Sequence, residues 1–99
     1  METKELQRKS VDFAEEFNRK TGRRVDDSVT MIHLTEEVGE IAAEIFNEKS
    51  GRATLNKEHL GDEIADVFII LSELGKFYTI DIEGAVLKKM EKDSKRFRD

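Results

Sequence analysis

The sequence predicts an all-α chain, folded as a small four-helix bundle, on three observations. Proline is absent from the 99 residues, the apolar residues recur at helical spacing in separate blocks, and 39% of the residues are charged. Only 37% are hydrophobic. Spread evenly, that balance would describe a disordered chain; gathered into periodic blocks, it describes helices with heavily charged outer faces.

The first helix is expected from about Thr3 to Lys20, with Leu6, Val11, Phe13, Ala14 and Phe17 on its apolar side and Thr21-Gly22 ending it. Arg23 to Asp26 reads as a loop. Asp26 or Asp27 caps the second helix, which carries Met31, Ile32, Leu34, Val38, Ile41, Ala42, Ile45 and Phe46 at a helical period to about Glu48. Ser50-Gly51 closes it. The third helix is capped near Asn56 and carries Leu60, Ile64, Val67, Phe68, Leu71, Leu74, Phe77 and Tyr78. From Ile64 to Leu71 it is apolar nearly all round except at Asp66, which predicts burial on more than one side and contact with a second subunit. Asp81 caps the fourth helix, which is expected to turn Ile82, Ala85, Val86, Met90 and Phe97 inward and to end in charge.

The length fits one domain over residues 1–99. Surface scaling gives burial of about 65% of the open chain's surface, a modest core that oligomerisation would enlarge. Without cysteine there is no disulfide, thiolate zinc site, iron–sulfur cluster or thiol nucleophile. No 18-residue apolar run is present, and the opening segment METKELQRKS lacks a signal-peptide core, so a soluble cytoplasmic protein with no membrane partner is expected. The net charge of −5, from 17 Lys and Arg against 22 Asp and Glu, opposes general nucleic-acid binding. An anionic ligand would need a local basic patch or a metal ion.

Two acidic clusters stand out. Glu36, Glu37 and Glu40 lie on the second helix, and Glu63 and Asp66 on the third. Residues three or four apart share a helix face, so Glu37 points with Glu40, Glu36 lies beside Glu40, and Glu63 points with Asp66. Helices joined by a short loop pack as a hairpin. Residues 41–62 allow about two turns out, the loop and a turn or two back, which lets the clusters face one another at similar height. Asp66, set among Ile64, Ala65, Val67 and Phe68, is costly to bury unless paired, protonated or bound to metal. An all-oxygen set selects a hard ion, Mg²⁺ or Mn²⁺. The other reading is a solvated Glu-rich face with Asp66 paired to a lysine. A di-iron bundle needs Glu-x-x-His pairs; Thr30 and Asn56 precede His33 and His59 at that spacing, which rules it out.

Leu34-Thr35-Glu36-Glu37-Val38-Gly39-Glu40-Ile41 followed by Gly61-Asp62-Glu63-Ile64-Ala65-Asp66-Val67 resembles the Glu-Glu-x-x-Glu…Glu-x-x-Asp signature of MazG-like nucleotide pyrophosphohydrolases. Ile80-Asp81-Ile82-Glu83-Gly84-Ala85-Val86, with Lys89, Lys92 and Arg96, is similar to that family's last helix. The resemblance covers about residues 28 to 97. It implies a MazG-like bundle, completed by dimerisation or assembled as a tetramer of two dimers, that hydrolyses a nucleoside triphosphate to the monophosphate and pyrophosphate with Mg²⁺.

On that resemblance Glu37, Glu40, Glu63 and Asp66 hold metal, while Glu36 serves a second metal or orients and deprotonates the attacking water. Lys92 and Arg96, at i and i+4, grip the phosphates. Family members usually carry Asn where this chain has Asp93, which touches phosphate or sugar contacts and leaves the metal site alone. House-cleaning of non-standard or excess nucleotides is the implied role. Phosphoribosyl-ATP pyrophosphohydrolase is an alternative, disfavoured because that family has His soon after Ala-Asp where this chain runs Val67-Phe68-Ile69-Ile70-Leu71. A non-catalytic helical interaction module that binds stabilising metal is the other.

Of the remaining residues, most of the basic run from Lys88 to Arg98 reads as a helix end whose cations suit the helix dipole. His59 reads as a surface group one turn before Glu63, within reach of phosphates. Arg23, Arg24 and Arg52 read as loop charges, and Glu44 and Glu73 as outer members of the acidic stripes. Phe13, Phe17 and Phe46 read as core, with a base pocket as the second reading.

Overall fold

A computed structural model of the chain describes residues 1–97; Arg98, the end of the basic run, lies outside the described residues. Four helices follow one another: α1, Thr3–Thr21; α2, Asp27–Lys49; α3, Lys57–Phe77; and α4, Ile82–Arg96. No strand occurs among the described residues. The expected signals set the boundaries. Gly22, at φ 71°, ends α1 with its amide donating to the Arg19 and Asn18 carbonyls. Asp26 accepts from the Val29 amide at 2.8 Å to start α2, and Asn56 accepts from the His59 amide at 3.1 Å to start α3. Asp81 occupies the N-cap of α4 without a side-chain cap bond.

Helices α2 and α3 pair along their lengths. The Tyr78 hydroxyl, just past the end of α3, donates to Asp27 at the start of α2 (2.8 Å), while His59 near the start of α3 meets Glu44 toward the end of α2. The pair is therefore antiparallel. Helix α1 runs antiparallel to α3 on its other flank, tied by Asn18 to Glu73 and by Lys76 to Glu15. Its buried stripe is Gln7, Ser10, Val11 and Ala14, spaced at i, i+3, i+4 and i+7.

The hydrophobic centre is small: Val11, Ala14, Leu34 and Ile70. Thr30 and Ser72 are enclosed beside it, their hydroxyls donating to the Asp26 and Phe68 carbonyls at 2.8 Å, so neither brings an unpaired polar group inside. The Gln7 amide spans two connections: its nitrogen donates to the Ile80 carbonyl and its oxygen accepts from the Ile82 amide, both at 2.9 Å. Gly75 suits this close approach, because a Cβ would stand a tight 3.0 Å from Gln7 Nε2 and 3.1 Å from the Ile80 carbonyl oxygen.

Helix α4 departs from expectation. It packs on α1 and buries none of its residues; Ala85, Val86, Met90 and Phe97 are exposed rather than turned inward. On α1 only Val11 and Ala14 of the expected apolar side are buried, and Phe13 and Phe17 are exposed. The accessible surface is 7732 Å², against about 5,800 Å² for a monomeric protein of this mass. The radius of gyration is 16.2 Å, against about 13 Å for a compact chain of this length. No helix among the described residues is long and apolar enough to cross a membrane.

Tyr78 is the single tyrosine and there is no tryptophan, so its ionisation can be followed by ultraviolet absorbance alone. The hydrogen bond to Asp27 and that carboxylate's charge push the phenol above its ordinary value of 10.0. With its folded pKa raised, Tyr78 contributes to stability in full below about pH 10 and loses that contribution as pH climbs through the folded value. Asp27→Asn should bring the titration back toward 10.0; an unchanged midpoint would show that the contact does not form in solution.

Candidate metal centre and the adjoining cavity

The α2–α3 hairpin brings two acidic faces together. Glu37 and Glu40 share a face of α2, and with Glu63 of α3 they offer carboxylate oxygens that all lie within 4.8 Å of one another. Among the described residues, no lysine or arginine pairs with Glu37, Glu40, Glu63 or Asp66. Burial pushes the Glu37 carboxyl above the usual carboxylate range, the charges of Glu40 and Asp66 push it further, and His33, 3.4 Å away, opposes them.

The buried acid is Glu63, not Asp66. The Glu63 side chain is 9% exposed and its Oε1 is buried without a hydrogen-bond partner. Glu63 and Ile70, seven residues apart and both buried, mark the inward line of α3. Asp66 lies beside that line, exposed, on the wall of a cavity that it shares with Glu37. The apolar neighbours of Asp66 do not bury it, because Ile64 on the same stretch is itself 55% exposed.

Glu36 is exposed, with no hydrogen bond or ion pair among the described residues. Lys92 and Arg96 are exposed on α4, and no ion pair joins either to the acidic group. The chain thus brings together Glu37, Glu40 and Glu63 with Asp66 at the rim; among the described residues no hydrogen bond or ion pair joins Glu36, Lys92 or Arg96 to them.

Two histidines complete the surroundings. His59 Nδ1 lies 2.5 Å from Glu44 Oε1 and 3.7 Å from Glu63 Oε1, and Glu44 Oε2 is a second buried oxygen without a partner. The hydrogen bond to Glu44 and its charge raise the His59 pKa above 6.5. Glu44, His59 and Glu63 form a second set of ligand atoms within 4.8 Å. Both histidines precede an acidic residue of the motif by one turn, His33 before Glu37 and His59 before Glu63. That i,i+4 spacing is the signal in the sequence that points to them.

Beyond Glu37 and Asp66 opens a cavity of about 320 Å³ between α1 and the hairpin, lined by Phe13, Phe17 and Asn18 of α1 and by Glu73 of α3. The Phe13 and Phe17 rings lie 6.4 Å apart and 25° from parallel. Phe46 does not join them; it is exposed, with the Arg52 guanidinium 5.4 Å over its ring.

An all-α hairpin that opposes clustered carboxylates is one way to build a protein that handles phosphate anhydrides through divalent metal. The chain belongs to the MazG family: the MazG nucleotide pyrophosphohydrolase domain matches residues 25–99. It is 36% identical over 72 residues to a Bacillus subtilis (strain 168) protein named "Uncharacterized protein YpjD", covering 70% of this chain and 65% of that one. The chain therefore matches somewhat less than two thirds of that relative's length. No solved structure matches it.

Proposed function

We propose that the chain is a Mg²⁺-dependent nucleoside triphosphate pyrophosphohydrolase, releasing the monophosphate and pyrophosphate and removing non-standard or excess (deoxy)nucleotides. The observation that carries the reading is the convergence of Glu37, Glu40 and Glu63 with no lysine or arginine paired to them among the described residues, the buried Glu63 Oε1 receiving no hydrogen bond. An uncompensated buried carboxylate is costly, and a hard divalent cation supplies what it lacks. Glu37, Glu40 and Glu63, with Asp66 at the rim, would hold Mg²⁺, or Mn²⁺ in its place. When bound, the ion neutralises phosphate charge and makes a water acidic enough to attack phosphorus.

The chain's own groups do the rest. Glu36, exposed on α2 one turn from Glu40, would serve a second metal or accept a proton from the attacking water. Lys92 and Arg96, one turn apart on α4, would hold the phosphates and the departing pyrophosphate. Because α4 packs on α1 in the protomer, assembly of subunits is what would bring these two cations to a nucleotide on the hairpin. Support for a homodimer, or a pair of dimers, comes from the excess of about 1,900 Å² of surface over the monomer expectation, on the scale of a permanent interface. A cytoplasmic setting goes with this reading, since that is where nucleoside triphosphates are met.

The test is product analysis on a panel of standard, deoxy and modified nucleoside triphosphates, with Mg²⁺ and with EDTA. Pyrophosphate and monophosphate in equal amounts, lost with EDTA, are expected. Orthophosphate as the product would place attack at the terminal phosphate and overturn the mechanism; silence across the panel would move weight to phosphoribosyl-ATP or to a binding module.

A further inference from the structure

We propose that the cavity between α1 and the α2–α3 hairpin is the nucleobase pocket, and that Asn18 and Glu73 in its lining select a base bearing an exocyclic amino group. The inference rests on the nucleotide reading above. Glu37 and Asp66 line the cavity beside the acidic group, and Asn18 and Glu73 line it as a hydrogen-bonded pair. Asp66 and Glu73 are seven residues apart on α3, about 10 Å of helix, comparable with the span from a nucleotide's phosphates to the far edge of its base. A volume of about 320 Å³ is at the small end of ligand sites and is of the size a nucleoside needs.

The walls match a base in kind. Phe13 and Phe17 offer ring faces for stacking, and their exposure shows that the helical core does not use them. Asn18 and Glu73 present oxygen acceptors to the cavity. Among the described residues, the one hydrogen bond that Glu73 receives comes from Asn18 Nδ2, at 3.3 Å. Because that carboxylate can only accept when ionised, the Asn18 amide nitrogen must face it, which leaves the Asn18 carbonyl oxygen as a further acceptor. Arg23 also lines the cavity; burial pushes the Glu73 pKa up, while the Asn18 hydrogen bond and the charges of His33 and Arg23 favour the ionised carboxylate, and among the described residues no ion pair joins Arg23 to Glu73. An amino group on cytosine, adenine or guanine donates into this pair of acceptors. A carbonyl in its place, as in uracil or hypoxanthine, sets acceptor against acceptor, and a site built for a donor then rejects the analogue that lacks it.

The experiment compares matched nucleotides that differ by one amino-to-oxo exchange, CTP with UTP and ATP with ITP. It follows pyrophosphate release and, separately, calorimetric binding of the monophosphates CMP, UMP, AMP and IMP with Mg²⁺. The amino member of each pair should be preferred at least about tenfold in both measurements. Glu73→Gln, which keeps the shape and supplies a donor, should bring both ratios to near parity while retaining native helicity by circular dichroism. Phe13→Ala should weaken binding of both members of a pair alike.

Parity in the wild type, or a preference that survives Glu73→Gln, overturns the proposal. Pyrophosphate release without discrimination sinks the pocket and leaves the hydrolase. Discriminating binding without pyrophosphate release sinks the hydrolase and leaves the pocket, and absence of both binding and release sinks both.

Discussion

Glu63→Gln should lower Mg²⁺-dependent pyrophosphate release at least about a hundredfold and, in the absence of metal, raise the melting temperature. The two effects have one cause. Glu63 presents a buried, unpartnered oxygen to Glu37 and Glu40. Without an ion, that oxygen carries its desolvation and the repulsion of its neighbours, offset only by His59 at 3.7 Å. An amide of the same shape removes both penalties and with them the strongest reason for a cation to bind. The comparison requires thermal melts of wild type and variant in EDTA and in saturating Mg²⁺, beside the rate. Wild type should gain more from Mg²⁺ than the variant does, since an ion that binds only the folded state stabilises it by mass action. A variant that melts higher in EDTA yet keeps the wild-type rate would show that these carboxylates do not serve the reaction.

The second large effect concerns assembly. Val86, Leu87 and Met90 are 48%, 62% and 62% exposed on α4, and Ile64 and Leu71 of α3 are exposed as well. Light scattering on the wild type should give at least twice the 11.4 kDa of one chain, with a melting temperature that rises with concentration. Val86→Asp combined with Met90→Asp should return the mass to that of one chain, because two charges cannot be covered by an apolar partner without large cost. A wild type that stays monomeric at millimolar concentration would overturn the proposed dimer.

Most of the fold was open to sequence reading because the inner helix boundaries are made by local chemistry. Asp26 and Asn56 cap through their own side chains, and Gly22 and Gly51 adopt the positive φ that ends a helix turn. Helical spacing likewise identified Glu37, Glu40 and Glu63 as groups that could meet, since a hairpin with a short loop leaves little freedom in height. What escaped was set by packing between elements distant in the chain. Periodicity gave Asp66 an apolar neighbourhood in sequence, but which side of α3 is covered depends on where α1 and α2 lie, and they cover Glu63 and Ile70. The same applies to α4, whose apolar residues repeat at helical spacing whether their partner is this chain or another. Asn18 and Glu73, 55 residues apart, meet only because α1 lies antiparallel against α3.

The Gln7 amide has a consequence for exchange with solvent. The amide of Ile82, the first residue of α4, has no partner within its own helix and in an ordinary helix would trade its hydrogen with water almost freely. Here it is held at 2.9 Å by a side chain from α1, 75 positions away in the chain. Its exchange is therefore governed by separation of α1 from the α3–α4 corner rather than by fraying of α4. In a deuterium-exchange experiment this one site acts as a clock for that opening, and Gln7→Ala should set it running at the rate of an unprotected helix start.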